Sequence, residues 1–476
     1  MAHRKETHIR EKQAVFDIPG STTKTAIIVI AFALFFLIRQ YLPLGDIDPE
    51  LDSASVRTGL AILALAALLW LTEAMPLALT AILIPVMASL TRALDVSDSF
   101  SGFSHPLIFL FLGGFGLAAA LSRQGIDRWL ALRILKLGRG NFHLTAIAMF
   151  LVSAVLSMWI SNTATVALLL PVALGILASL SSTVDENQSK KASVYLLLGI
   201  AYSASIGGIG TLIGTPPNAI AAANLKMGFT EWLKIGIPCV IILLPILVIV
   251  LRLLVKTGSL PQFAPPKDEF HFNKKRILTL AIFLCAIGCW LASSPLSAWL
   301  GIAKSFDSIV AVSAVLVLAG FHLVGWKDID NATDWGVLLL FGGGITLSKI
   351  LGNTGASYYL AQQIQQLTSG WPHFLLIGVV VLFVIFLTEL SSNTASTALL
   401  VPIFAALATD MGIPPTQLIL PLTVAASCAF MLPIATPPNA IVFGSGKINQ
   451  REMMRVGLIL NLTFAVILTV LGSLYF

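Results

Sequence analysis

The chain has 476 residues, of which 57% are hydrophobic and 11% are charged, and its formal net charge at pH 7 is +6. Soluble domains have about 45–50% apolar and about 25% charged residues, so this composition excludes a soluble globular protein. The basic residues lie mostly between apolar stretches, where they set membrane orientation, so we expect no nucleic-acid partner.

Apolar stretches follow one another along the whole chain. A hydrocarbon core of about 30 Å takes about 20 helical residues to cross. We predict spans at 25–43, 56–72, 76–92, 104–122, 193–223, 230–255, 277–298, 307–325, 335–352, 415–445 and 453–475. Two further pairs of apolar arms lie at 142–160 with 164–180 and at 372–391 with 395–410. The pattern predicts an all-α polytopic membrane protein with about eleven transmembrane helices.

Two short polar motifs occur once in each half of the chain. Ser161-Asn162-Thr163-Ala164 returns as Ser392-Asn393-Thr394-Ala395, 231 positions later. Each copy is followed about fifty residues on by Thr-Pro-Pro-Asn-Ala-Ile, and these two copies are 221 positions apart. Phe-Leu-Gly-Gly at 111–114 matches Leu-Phe-Gly-Gly at 340–343. Near-constant offsets indicate an internal structural repeat.

The two repeats are predicted to have inverted topology. Five spans lie from the first Gly-rich span to the second, and each pair of arms adds either two crossings or none, so the number of crossings stays odd. Loop charge supports this, because cytoplasmic connections are rich in Lys and Arg. The segment after the first Gly-rich span is basic, whereas its counterpart at 355–369 is uncharged. The segments assigned to the cytoplasm carry Arg4, Lys5, Arg10, Lys12, Arg123, Arg128, Arg133, Lys136, Arg139, Lys190, Lys191 and Lys447–Arg455, with the loop 252–276.

The Ser-Asn-Thr motifs have the composition of helix N-caps, whose side-chain oxygens accept from unpaired amides. A single copy could simply cap a helix. Two copies, each between two apolar arms, favour a binding site, because a helix end inside a bilayer leaves polar groups that need protein, ion or solute partners.

The Thr-Pro-Pro-Asn motifs should interrupt their long segments, because proline lacks an N–H and clashes with the preceding turn. The carbonyls freed before each break, at Gly214 and Ala435, suit a small alkali cation, and the amides after the break suit an anion. Neither motif contains a charge. A bound anion would therefore need helix ends and co-bound cations, which predicts cation coupling. For the nearest carboxylates, Glu73 and Glu389, we favour a structural or gating role over proton transfer.

The paired motifs and their order resemble the divalent anion:sodium symporter family. Ser157–Ala164, Ala201–Gly208 and Ala425–Pro433 are similar to the bacterial INDY-type sodium/dicarboxylate transporters. The resemblance implies a homodimer in the bacterial inner membrane, with two re-entrant hairpins formed by the paired arms. It also implies a scaffold domain and a transport domain that moves as an elevator.

On this basis we divide the chain into four parts. Residues 1–55 are the cytoplasmic N-terminus and first transmembrane helix, and 256–276 are a cytoplasmic linker. Residues 56–255 and 277–476 are the inverted repeats, each with scaffold helices first and then a hairpin and broken helix of the transport domain.

The family's binding residues carry over by motif. Substrate carboxylates would meet Ser161, Asn162, Thr163, Thr215, Pro216, Ser392, Asn393, Thr394, Thr436 and Pro437. Sodium ions, at two or more sites, would meet Ser157, Ser161, Asn162 and Gly214 in the first repeat and Thr388, Ser391, Asn393 and Ala435 in the second.

We therefore predict sodium-coupled import of a C4 dicarboxylate such as succinate, with a sodium-independent dicarboxylate exchanger as the alternative. An intramembrane hydrolase would need a Ser-His, Ser-Lys or paired-Asp constellation at membrane depth, and the sequence suggests none, so we do not expect an enzyme. A channel would need a continuous pore, which helix breaks at binding motifs do not favour.

Overall fold

The computed structural model describes residues 21–45, 49, 51–135, 141–181, 183–258, 260–261, 273–302, 305–368 and 370–476. The basic N-terminal residues Arg4, Lys5, Arg10 and Lys12, the residues Lys136 and Arg139, and most of the predicted linker 256–276 lie outside these ranges. Within them the chain forms helices and no strands, which confirms the predicted all-α class.

The helices of the first half, with one 3-10 turn at Gly102–Ser104, are α1 (Ser21–Tyr41), α2 (Ser53–Thr72), α3 (Leu77–Leu90), α4 (Val96–Ser101), α5 (Pro106–Arg123), α6 (Ile126–Leu135), α7 (Phe142–Ser157), α8 (Asn162–Ser181), α9 (Glu186–Gly208), α10 (Pro216–Leu225) and α11 (Phe229–Leu254). The helices of the second half are α12 (Lys274–Leu291), α13 (Ser293–Leu300), α14 (Phe306–Gly320), α15 (Trp326–Ala332), α16 (Trp335–Asn353), α17 (Ala356–Leu367), α18 (His373–Leu390), α19 (Asn393–Asp410), α20 (Thr416–Ala426), α21 (Pro437–Gly444) and α22 (Gln450–Leu474).

Polar N-caps start many of these helices. The side chains of Asp52, Asn141, Asp185, Asn273 and Asp334 accept backbone N–H groups in the first turns of α2, α7, α9, α12 and α16. Each cap gives a partner to an amide that the helix itself cannot satisfy. The apolar runs that follow then continue as helix.

Eight helices in the described ranges are long and apolar enough to cross a membrane, so the protein is an integral membrane protein. Six of these eight are among the predicted eleven spans, and the other two, α8 and α18, are predicted hairpin arms. The eleven also include the short helices α3 and α14, the broken segments α9–α10 and α20–α21 and the bent segment α12–α13. The predicted span 277–298 is bent by 82° between Leu291 and Ser293, because α12 ends there and α13 starts in a new direction.

The two halves pack against each other reciprocally. Helix α5 packs on α14, and its repeat counterpart α16 packs on α3, the counterpart of α14. In the same way α8 contacts α21 while α19 contacts α10, and α9 contacts α21 while α20 contacts α10. Such exchanged contacts are the pattern of two repeats related by a two-fold axis, as an inverted repeat requires.

Polar contacts between the halves are exchanged as well. Arg123 at the end of α5 pairs with Asp328 of α15, and Lys349 of α16 lies 3.8 Å from Asp98 of α4. A hydrogen bond from the Gly325 N–H lowers the pKa of Asp328 below its ordinary value, and Arg123 acts in the same direction. These groups are partly exposed, so they contribute little stability but identify which elements meet.

Candidate functional site

Each pair of apolar arms forms a helical hairpin whose turn carries Ser-Asn-Thr. The Ser161 hydroxyl accepts the Ala164 N–H at the start of α8, at 3.2 Å. The Ser392 hydroxyl accepts the Ala395 N–H at the start of α19, at 3.5 Å. The predicted N-caps are therefore present in both repeats, and each leaves the first amides of its helix pointing out of the hairpin tip.

The Thr-Pro-Pro-Asn motifs lie at the ends of two non-helical breaks. In the first repeat the break runs from residue 209 to 215 and α10 begins at Pro216, and in the second it runs from 427 to 436 and α21 begins at Pro437. The prolines start the second half-helix, because the N–H that proline lacks has no partner at that position and its fixed φ suits a first turn. The predicted helix interruptions are confirmed.

The asparagine that ends each of these motifs braces its break. Asn218 is fully buried and its Nδ2 donates to the carbonyls of Gly208 and Thr211 at 2.9 and 2.7 Å. Asn439 is also fully buried and its Nδ2 donates to Ala429 and Leu432, both at 3.0 Å. The same side chain thus satisfies freed carbonyls ten and seven residues before it in both repeats, and holds the unwound backbone in one shape.

Both hairpin tips and both breaks converge on one cavity of about 980 Å³. All ten residues predicted to bind the substrate line it, namely Ser161, Asn162, Thr163, Thr215, Pro216, Ser392, Asn393, Thr394, Thr436 and Pro437. Its other walls include the end of α2 and the helices α5 and α16. The sequence separation of the motifs gives no distance between the two repeats, so this convergence is a finding of the tertiary structure.

The cavity offers positive charge through backbone dipoles rather than basic side chains. The four helices that follow the repeated motifs, α8, α10, α19 and α21, begin at it. Each helix N-terminus carries about half a positive charge and free N–H donors, which suits an anion. Among the described residues that line the cavity there is no Lys, Arg or His, and the charged ones are Glu73 and Asp334. Among these lining residues a dianion would therefore have no positively charged side chain as a partner.

Gly208 lies close to polar atoms of both the hairpin tip and the break. A Cβ built on Gly208 would lie 2.7 Å from Asn162 Oδ1, 3.2 Å from the Gly214 carbonyl oxygen and 3.3 Å from Asn162 Nδ2. The Ser157 hydroxyl donates to the same Asn162 Oδ1. Because glycine has no side chain, the break can approach the hairpin tip here and bring together hard oxygen atoms, which are the ligands that sodium prefers in broken-helix sites.

The second repeat builds a corresponding arrangement around Asn393. The Thr388 hydroxyl donates to Asn393 Oδ1 at 2.5 Å, as Ser157 does to Asn162. The Ser391 hydroxyl lies 2.7 Å from that of Ser396. Of the eight residues predicted to meet sodium, six line the cavity, namely Ser161, Asn162, Gly214, Ser391, Asn393 and Ala435. The other two, Ser157 and Thr388, lie behind the asparagines and contact them.

Three structural residues of the site were missed by sequence reasoning. Asn218 and Asn439 stood in the repeated motifs, and their repetition was a usable signal, but a bracing role requires the folded break. Gly208 was unassigned because its role is to let the break approach the hairpin tip, which depends on the absence of a side chain. Of the two carboxylates, Glu73 lines the cavity, whereas Glu389 is buried behind the second break.

Residues 22–476 match the profile of the family described as sodium:sulfate symporter transmembrane region. An uncharacterized transporter of Haemophilus influenzae is 47% identical over 457 residues, which cover 94% of this chain and 96% of the relative. A sodium-dependent dicarboxylate transporter, SdcS, of Staphylococcus saprophyticus is 33% identical over 430 residues, which cover 84% of this chain and 82% of the relative.

The fold is similar to that of a solved transporter. The YdaH transporter of Alcanivorax borkumensis superposes with a TM-score of 0.60, covering 96% of this chain and 99% of that chain at 14% identity. At this identity the likeness concerns the arrangement of the helices. The unusual topology described for YdaH is a statement about that protein.

Proposed function

Since the chain belongs to the sodium:sulfate symporter family, we propose that it imports C4 dicarboxylates such as succinate together with sodium ions. The staphylococcal relative, at 33% identity, is named a sodium-dependent dicarboxylate transporter, which supports this substrate class. The observation that carries the proposal is the shared cavity. It joins four helix N-termini to two sets of uncharged oxygen ligands and has no basic side chain among its described lining residues.

The chemistry follows from charge. The helix N-termini offer N–H donors to two carboxylates, and the Ser and Thr hydroxyls and Asn amides orient them. The acidic lining residues Glu73 and Asp334 oppose a dianion, so sodium ions bound at the Asn162 and Asn393 sites would supply the missing positive charge. Sodium binding would also draw the hairpin tips toward the breaks at Gly214 and Ala435. Substrate binding would then follow sodium binding.

We further propose that the protein acts as a homodimer in a bacterial inner membrane, with its N-terminus in the cytoplasm. In each protomer the hairpins and broken helices, α7–α10 and α18–α21, would form a transport domain that moves against the scaffold helices as an elevator. A site shared between two inverted repeats suits this mechanism, because exchange of the two repeat conformations opens the same site to the opposite side.

Uptake of labelled succinate into proteoliposomes tests the proposal. We expect uptake with external sodium and without internal dicarboxylate, and its loss when sodium is replaced by potassium or choline. Vesicles preloaded with unlabelled dicarboxylate form the second arm. Uptake that needs this preload and ignores sodium would establish the exchanger instead. Competition by unlabelled citrate, sulfate and other dicarboxylates would define the range of substrates.

A further inference from the structure

Glu389 is a buried carboxylate that the proposed transport cycle does not use directly. It lies in the last turn of α18, is 3% exposed, and is not among the described residues that line the cavity. Its Oε1 accepts the Met431 N–H at 2.8 Å and its Oε2 accepts the Leu432 N–H at 2.9 Å. Both amides belong to the second break. A buried carboxylate is costly, so its partners indicate its purpose.

These hydrogen bonds lead directly to the proposed cation ligand. The carbonyl of Leu432 accepts from Asn439 Nδ2 at 3.0 Å and from the Ala435 N–H at 3.2 Å. The carboxylate therefore holds Leu432 through its N–H, and the carbonyl of the same residue holds both the brace and the N–H of the residue whose carbonyl would bind sodium. Hydrogen bonds on the two sides of Leu432 thus connect Glu389 to Ala435.

The first repeat makes the same connection with a neutral group. Met158 stands 231 positions before Glu389, and Thr211 stands 221 positions before Leu432. The Thr211 hydroxyl donates to the Met158 carbonyl oxygen. Both repeats thus link the hairpin to the break at equivalent positions. The first uses a threonine on the break, and the second uses a carboxylate on the hairpin.

The Glu389 carboxylate also accepts a hydrogen bond from the last helix, α22. Asn461 of α22 is fully buried and its Nδ2 donates to Glu389 Oε1 at 2.7 Å. In the first repeat the position 221 residues earlier is Val240, which has no polar group to offer. The second break is therefore held by Glu389 and Asn461 through the Met431 and Leu432 amides, whereas the equivalent positions of the first break are linked by the neutral Thr211–Met158 hydrogen bond.

We propose that Glu389 is a positioning residue for the second sodium site, which holds the backbone at Ala435 in place through the hydrogen bonds of Leu432. The inference rests on the proposed function, because it takes Ala435 as a sodium ligand. Its effect should appear in the sodium requirement, with the substrate requirement at saturating sodium little changed.

Two substitutions separate position from charge. Glu389→Gln keeps the shape, but an amide cannot accept N–H groups at both ends, so one break amide loses its partner. Glu389→Asp keeps the charge but is one methylene too short to reach both amides. We expect the sodium concentration for half-maximal uptake to rise at least about tenfold in each variant. An unsatisfied buried amide weakens a site by that order. Asn461→Ala, which removes only the supporting amide, should have a smaller effect of about two- to fivefold.

Sodium binding is measured as the rise in apparent melting temperature of purified protein when sodium replaces choline, and sodium activation as half-maximal uptake in proteoliposomes. Glu186→Gln, an exposed change in the first turn of α9, is the matched control and should behave as wild type. An unchanged sodium requirement in Glu389→Gln would overturn the inference. So would a wild-type requirement in Glu389→Asp, because charge alone would then suffice.

The measurements separate failure of this inference from failure of the proposed function. A wild-type protein that sodium stabilises but that shows no sodium-dependent uptake would refute symport, while the binding series would still test Glu389. A wild type without either response would overturn both. If Glu389→Gln does not yield folded protein, Glu389→Asp decides, and a wild-type sodium requirement in this variant would reject the positioning role.

Discussion

At the scale of single residues, the site uses asparagine twice in each repeat for different purposes. Asn162 and Asn393 stand at the hairpin tips, where their Oδ1 atoms meet a hydroxyl and face the cavity. Asn218 and Asn439 are buried behind the breaks and satisfy carbonyls there. An amide suits both places, because it offers donor and acceptor without adding charge near an anion.

We predict that Asn162→Ala or Asn393→Ala abolishes sodium-dependent uptake while leaving dimerisation intact. Each change removes an oxygen from a proposed sodium site together with an acceptor of the Ser157 or Thr388 hydroxyl, of which Thr388 keeps the Ala426 carbonyl at 3.1 Å. Uptake and size-exclusion chromatography provide the measurements, and Asn187→Ala, on the exposed face of α9, is the control for the same chemical change. Near-normal uptake by both site variants would contradict the assignment of these residues.

At the scale of elements, each unwound break depends on close contact with the continuous helix, α11 or α22, that follows its broken helix. Gly236 of α11 packs on the first break, and Gly457 of α22, 221 positions later, packs on the second. A Cβ at Gly236 would lie 2.5 Å from the Ile209 oxygen, and one at Gly457 would lie 2.6 Å from Met431 Cα. Only glycine lets these helices approach so near to the backbone atoms of the breaks.

We therefore predict that Gly236→Ala and Gly457→Ala each lower the apparent melting temperature and impair uptake. Overpacking of this kind costs about 1–3 kcal/mol, and the atoms displaced are backbone atoms of the breaks. Gly175→Ala in α8 is the matched control, because a Cβ there meets nothing within 4 Å and the change favours the helix. The expectation fails if the three variants melt and transport alike.

At the scale of the whole molecule, two repeats share one site by exchanging contacts. Helix α8 packs on α21 and α19 packs on α10, so each hairpin lies against the broken helix of the other repeat. The four helix N-termini reach one cavity only because of this exchange. Neither repeat alone could surround a dianion with them.

The inverted arrangement predicts that the loops leaving the two hairpins face opposite sides of the membrane. In a protein without its four native cysteines, Thr183→Cys should react with a membrane-impermeant maleimide only from the cytoplasmic side. Pro414→Cys should react only from the outside. Both positions are exposed in the structure, so burial would not mask them. Labelling of both from the same side would refute the orientation deduced from parity and loop charge.

The sequence by itself determined the membrane setting, the internal repeat, the helix caps at Ser-Asn-Thr and the helix interruptions near Thr-Pro-Pro-Asn. These features depend on local chemistry, namely apolar length, N-cap side chains and proline, which a linear pattern records. The bend between α12 and α13 was not predicted, because apolar residues continue on both sides of it, although Ser293-Ser294-Pro295 has the composition of a helix start.

Only the tertiary structure decided how the pieces meet. The convergence of the two motif pairs, the close approach of Gly208 to the hairpin tip and the hydrogen bonds of Glu389 all join residues that are far apart in the chain or depend on an unwound backbone. Glu389 and Asn461 are 72 positions apart, on different helices, and no local pattern relates them. Contacts of this kind arise from packing of whole helices, which determines the distances that motif spacing leaves free.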